Sequence, residues 1–288
     1  MDQTTALCVW CCLLDLSALK RASLFAKLPV LRYQRRIMQL FHPMQFHPKF
    51  LIPNSFTALS MVFGLASIVC AATGNCTLAA WMILWGTLLD KLDGAAARLF
   101  HATSSFGVEF DSFADFVVFG IAPAALCYFR LTDIVHNQTW LIAGCGFYTV
   151  ASAVRLARFN VCDDSGRVFY GIPTTVCGGF MGALYLTWES QGLSSALLIL
   201  WPALMAGAAL SMISNIRLPK IKSRNSRALN LFQAATMLSA YILAPLRLLP
   251  EYLLGLVCFY VITGVFWAWR HPNTFGLEDA DEIEVPAV

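Results

Sequence analysis

Charge is scarce in this chain. Asp, Glu, Lys and Arg make up 13% of its 288 residues, against roughly 25% in an ordinary soluble domain. Too little charge is present to cover a water-soluble fold of that size. The net charge of +3 gives no support to nucleic-acid binding, and no nucleic-acid partner is expected. There is no long soluble insertion, no internal repeat and no low-complexity tract. A good secretory signal is missing too: Met1-Asp2 is an acidic start, and Asp15 interrupts the short apolar stretch that follows. The ten cysteines do not form a disulfide framework. Cys70, Cys127, Cys145, Cys177 and Cys258 lie inside apolar runs, where Cys acts as a small hydrophobe. Cys8, Cys11 and Cys12 include a CxxC spacing, but no His or second CxxC follows at zinc-site distance, which argues against a metal or redox role.

Apolar residues are plentiful instead, at 58%, with a mean hydropathy of +0.64. That excludes disorder and points to an all-α, polytopic membrane protein. Apolar runs of spanning length lie near 54–73, 77–99, 106–129, 138–160, 172–188, 193–214, 229–245 and 251–269, so about eight transmembrane helices are expected. Residues 1–50 read as a cytoplasmic leader. Between Ser17 and Phe41 apolar and basic residues alternate at helical spacing, with Lys20, Arg21, Lys27, Arg32, Arg35 and Arg36 on the polar face. That pattern suits an interfacial helix on an anionic leaflet; a basic leader without fixed structure is the alternative. Residues 51–215 are expected to form the transmembrane core, 216–269 two additional helices, and 270–288 an acidic tail. Threading eight spans from a cytoplasmic N-terminus places Arg98, Arg155, Arg158, Arg167, Arg217, Lys220, Lys222, Arg224, Arg227 and Arg270 inside, and only Arg130 and Arg247 outside.

The second and third spans break the apolar rule. The second ends Asp90-Lys91-Leu92-Asp93-Gly94-Ala95-Ala96-Ala97-Arg98, and the third opens Phe106-Gly107-Val108-Glu109-Phe110-Asp111 and continues to Asp115. At ~100° per residue, Asp90, Asp93, Gly94 and Ala97 share one face, which Gly86 extends. Gly107, Asp111 and Asp115 form a second stripe. Two antiparallel helices on a short linker can turn these stripes towards each other, so that the carboxylates converge over a floor of Gly and Ala. An acid at mid-helix in a bilayer costs roughly 2.5–3.5 kcal/mol on insertion scales, and mutual repulsion adds to that. Divalent cations would offset both. Carboxylates without His or Cys favour Mg²⁺, Mn²⁺ or Ca²⁺ over zinc, and this many acids suit two metals in a phosphoryl transfer. The plainer alternative is a set of acids solvated at helix ends.

The spacing Asp90-x2-Asp93-Gly94-x2-Ala97-Arg98-x8-Gly107-x3-Asp111-x3-Asp115 resembles the signature of the CDP-alcohol phosphatidyltransferase family, with every fixed position present. The resemblance covers roughly residues 50–215, the family's six-helix core. It implies displacement of CMP from a CDP-linked lipid or alcohol by an acceptor hydroxyl. It further implies that Asp90, Asp93, Asp111 and Asp115 hold two divalent cations, Mg²⁺ or Mn²⁺, and that Asp115 is the general base. Asn54, Thr57, Asp90, Gly94, Ala97, Arg98 and Gly107 would bind the CDP group, with Arg98 contacting phosphate or capping its helix. The Val154-Arg155-Leu156-Ala157-Arg158-Phe159-Asn160 run, followed by Gly171-Ile172-Pro173-Thr174-Thr175, resembles the serine-using branch of the family, where CDP-diacylglycerol is the donor. Arg155 and Arg158, at i and i+3, would meet the acceptor carboxylate and phosphate. Asn160 would be a further ligand or a helix C-cap. Glycerol 3-phosphate, inositol phosphate and choline are the alternative acceptors, and a cation or proton transporter is the alternative of another class. The resemblance also implies a homodimer; a bacterial inner membrane is expected, and the distribution of Lys and Arg turns the active site to the cytoplasm.

Overall fold

The computed structural model describes residues 50–135, 138–161, 168–219 and 227–270. The expected leader helix, the Cys8–Cys12 segment and the acidic tail beyond Arg270 lie outside them. The described residues form a bundle of helices. These are α1 (Leu51–Ala72), α2 (Cys76–Leu99), α3 (Ser105–Leu131), α4 (Gln138–Val161), α5 (Thr174–Ser190), α6 (Trp201–Ile213), α7 (Arg227–Leu243) and α8 (Pro250–Arg270). The apolar runs read from the sequence coincide with these rods. Two three-residue strands, which the sequence did not suggest, pair antiparallel: β1 (Val168–Tyr170) and β2 (Arg217–Pro219). They join the loop after α4 to the loop after α6.

Helices α1, α3 and α4 are long and apolar enough to cross a bilayer. Helix α2 has the length, but its second half carries Asp90, Lys91, Asp93 and Arg98. Residues Leu198–Ile213 and Pro250–Phe266 are apolar and shorter. A helix pairs most of its backbone polar groups within itself, which is what a hydrocarbon environment demands.

The turn between α1 and α2 explains why these two helices lie side by side. Gly74 adopts φ +84°, a left-handed conformation that suits glycine. Gly74 N–H donates to Ala71 O at 3.1 Å, and Asn75 N–H donates to Cys70 O at 2.8 Å. That is the paired closure of a glycine-terminated helix. The Asn75 side chain then caps α2 by accepting from Leu78 N–H at 3.1 Å. The buried face of α1 is Pro53, Thr57, Ser60, Gly64, Ser67 and Ala71, all small. Such a stripe lets backbones approach closely. Ser67 Oγ donates to Ala79 O at 2.8 Å across the contact.

Helix α3 also packs on α1, α4 on α3 and α6, and α5 on α2 and α8. The fully buried centre includes Ile83, Val118, Phe119, Leu126, Tyr148 and Met181. Helix α7, outside the expected core, is tied to α2 by Tyr241 Oη donating to Leu88 O at 3.0 Å and by Trp85 Nε1 donating to Ala244 O at 2.8 Å.

Candidate active site

The five residues between α2 and α3 reverse the chain, so the end of α2 meets the start of α3. Ser104 caps α3, accepting from Gly107 N–H at 3.0 Å. The cap fixes where α3 begins, and hence which face Gly107, Asp111 and Asp115 occupy. Carboxylate oxygens of Asp90, Asp93 and Asp111 then lie within 4.8 Å of one another. Asp111 meets Asp93 carboxylate to carboxylate, and Asp115, one turn deeper, meets Asp90. Of the four acids expected to converge, Asp90, Asp93 and Asp111 share one group, and Asp115 lies beside it.

Asp93 is buried and accepts a hydrogen bond from buried Thr57 Oγ1 at 2.8 Å. Lys91 Nζ sits 3.1 Å from Asp90 Oδ2, with its side chain more than half exposed. Its neighbourhood includes Asp111 and Asp115. Lys91 offsets one negative charge of the cluster. At this spacing each pair of ionised carboxylates repels by about 3–4 kcal/mol for an effective dielectric constant of 20. Acids merely solvated at helix ends would turn apart to relieve that. Hard oxygen donors this close, with no His or Cys among them, have the chemistry of an Mg²⁺ or Mn²⁺ site, so the residues fit the expected cations.

The remaining expected residues divide between the cleft and its surroundings. Gly94 and Ala97 are half-buried on the Asp90 face of α2. Exposed Arg98 folds back over Gly94, where a Cβ would lie 3.5 Å from Arg98 Nη1. Asn54 brings the start of α1 to the start of α3, since a Cβ on Gly107 would lie 3.4 Å from Asn54 Oδ1. Thr57 touches Asp93 and so braces a carboxylate.

Arg155 and Arg158 part company despite their i, i+3 spacing. Arg155 is buried and donates from Nη1 to Thr174 Oγ1 at 2.8 Å, at the N-terminus of α5. Arg158 reaches Ile213 O at 3.4 Å, at the C-terminus of α6, where a cation is favoured. Asn160 lies inside α4, so it is not a C-cap; it bonds Glu109 Oε2 at 3.1 Å and Ser112 Oγ at 3.0 Å on α3. The sequence pattern did not single out Lys91, Ser112, Glu109 or Thr174 as members of the site. Lys91 was the most legible of these, because it stands between two acids of the same helix.

These features define a class: an integral, multi-pass membrane protein with an acid-walled, cation-competent cleft at the ends of two helices. The family model for CDP-alcohol phosphatidyltransferase matches residues 50–213. The chain is 32% identical over 229 residues to a Helicobacter pylori CDP-diacylglycerol–serine O-phosphatidyltransferase, covering 77% of this chain and 92% of that protein. A Mycobacterium tuberculosis protein of the same name is 28% identical over 242 residues, covering 78% and 82%. An archaetidylserine synthase from Methanothermobacter thermautotrophicus is 32% identical over 177 residues, covering 59% and 70%. The chain belongs to the CDP-alcohol phosphatidyltransferase family.

Proposed function

We propose that the chain transfers the phosphatidyl group of CDP-diacylglycerol to L-serine, releasing phosphatidylserine and CMP. The observation that carries this reading is the convergence of Asp90, Asp93 and Asp111 within 4.8 Å at the junction of α2 and α3, in a chain whose relatives bear the serine transferase name. A transporter would place its acids near the bilayer midplane, in broken helices of repeated halves. These acids stand in the second half of α2 and the first half of α3, gathered towards one end of both helices, and the sequence has no such repeat.

Asp90, Asp93, Asp111 and Asp115 would hold the cations. When bound, a pair of divalent ions neutralises the diphosphate and stabilises the departing CMP. The chain's own residues do the rest. Gly94, Ala97 and Gly107 leave room for the cytidine against the helix backbones, with Asn54 at the edge of that space. Arg98 pairs with phosphate. The serine hydroxyl attacks the lipid-side phosphorus; its proton passes to Asp115. The new bond joins serine Oγ to phosphorus. The bond that breaks joins phosphorus to the bridging oxygen, which leaves with CMP. Thr57 fixes Asp93 by its hydrogen bond.

Serine carries a carboxylate as well as its hydroxyl. Buried Arg155 of α4 reaches the start of α5 and supplies a cation beside a helix N-terminus, and both attract an anion. Asn160 would act beside Asp111, through its bond to Ser112, and Arg158 would be a second cation for phosphate. The bias of Lys and Arg towards one set of loops supports a cytoplasmic active site in a bacterial inner membrane, and the family resemblance supports a homodimer. We divide the chain into leader (1–50), catalytic core (51–215), two further helices (216–269) and tail (270–288).

The test is an acceptor panel. Purified protein in mixed micelles receives CDP-diacylglycerol, Mn²⁺ or Mg²⁺, and in turn L-serine, glycerol 3-phosphate, inositol phosphate and choline. CMP release with L-serine alone is the expected result. Release with another alcohol replaces the acceptor, and no release with any alcohol overturns the transferase reading.

A further inference from the structure

Pro123 sits inside the continuous 27-residue helix Ser105–Leu131. A mid-helix proline supplies no N–H to the carbonyl four residues back and crowds it sterically. Here that carbonyl belongs to Phe119, which is completely buried. The helix does not break. It widens into a π-turn at Phe116–Ile121, where Ala122 N–H reaches Val117 O, five residues back. Fully buried Tyr148 of α4 donates its hydroxyl to Phe119 O at 2.8 Å. The adjacent Thr149 hydroxyl lies 3.4 Å from Gly120 O. A carbonyl orphaned by proline has thus been given a donor from the neighbouring helix.

The π-turn begins directly after Asp115, and its outer surface is seated on glycine. A Cβ on Gly86, one turn before Asp90 on α2, would lie 2.5 Å from Val118 Cγ1. A Cβ on Gly64 of α1 would lie 2.9 Å from Val118 Cγ2, and one on Gly178 of α5 2.7 Å from Phe119 Cβ. The turn is therefore clamped between three helices and pinned by a fourth. A π-turn takes up one more residue than an α-turn, and such turns recur at functional sites. Were it to relax to α geometry, the part of α3 before it would shift register against the Gly86 seat. That part carries Asp111 and Asp115.

We propose that Tyr148 is a positioning residue: its hydroxyl stands in for the N–H that Pro123 lacks, and holds the π-turn that sets Asp111 and Asp115 opposite Asp90 and Asp93. The proposal rests on the reading of these carboxylates as the metal site.

The experiment is direct Mn²⁺ binding by the purified full-length protein, followed by electron paramagnetic resonance without substrate. Tyr148→Phe leaves the Phe119 carbonyl without its donor and raises the Mn²⁺ dissociation constant about tenfold, the scale of a lost buried hydrogen bond. Pro123→Ala restores a backbone N–H, so Tyr148→Phe has a smaller effect in that background; such non-additivity is the mark of two groups serving one carbonyl. Tyr185→Phe, a buried tyrosine whose hydroxyl meets Glu189, controls for general destabilisation and leaves Mn²⁺ affinity unchanged. Should Tyr148→Phe fail to fold, Gly86→Ala, which wedges the turn away from α2, weakens Mn²⁺ binding instead. Wild-type affinity in Tyr148→Phe, or equal effects with and without Pro123, overturns the proposal while Asp111→Asn still abolishes binding. Wild-type protein that binds no Mn²⁺ overturns the metal reading itself.

Discussion

Thr57→Val is the sharpest perturbation of the acid cluster that leaves every acid in place. Valine has nearly the shape of threonine but no hydroxyl. Both Thr57 and Asp93 are buried, at 3% and 6% exposure, and their hydrogen bond is 2.8 Å long. Little water can replace the lost donor. A hydrogen bond to a charged group contributes about 1.5–3 kcal/mol. If it persists into the transition state, its removal lowers kcat/KM by about 10- to 150-fold at 1.36 kcal/mol per tenfold. Thr57→Ser keeps the hydroxyl and should stay within a fewfold of wild type. The assay is CMP release from CDP-diacylglycerol and L-serine in mixed micelles, with thermal unfolding as the check on folding. A Thr57→Val enzyme within twofold of wild type would refute the idea that Asp93 depends on this bond.

Two further outcomes follow from the geometry. Asp115→Asn should remove turnover, by a factor of at least 10² if it is the base, while the unfolding midpoint stays close to wild type; turnover above a tenth of wild type would exclude Asp115 as the base. Gly171→Ala should destabilise by more than about 1 kcal/mol, because Gly171 has φ +76° and a Cβ there would lie 2.2 Å from Met212 O; an unchanged melting curve would contradict that placement of the loop before α5.

The helices were legible because hydrocarbon imposes one rule, satisfied backbone and apolar side chains, on every span. The acids were legible for the opposite reason. Asp90 and Asp93 violate the rule at i, i+3, and Asp111 and Asp115 violate it at i, i+4, so their faces follow from helix geometry alone. What escaped the sequence depends on neighbours remote in the chain. Pro123 signals a local disturbance, but not that Tyr148 of the next helix compensates it. Arg155 and Arg158 share a face in an isolated helix, yet opposite ends of α5 and α6 draw them apart. The β1–β2 pair consists of two three-residue segments with no periodicity to detect, and it forms only because α4, α5 and α6 bring their loops together. Asn160 sits at the end of an apolar run, where a cap is the simplest reading; α4 continues through it, and its amide is turned to Glu109 and Ser112.

The central claim is that side chains of α2 and α3 together hold paired divalent ions. Equilibrium Mn²⁺ binding to purified full-length protein in the presence of CDP-diacylglycerol tests it most directly, as ions bound per chain. The account predicts two in the wild type and fewer than two in Asp111→Asn. A wild type that binds none, or an Asp111→Asn protein with the wild-type number and affinity, would contradict it.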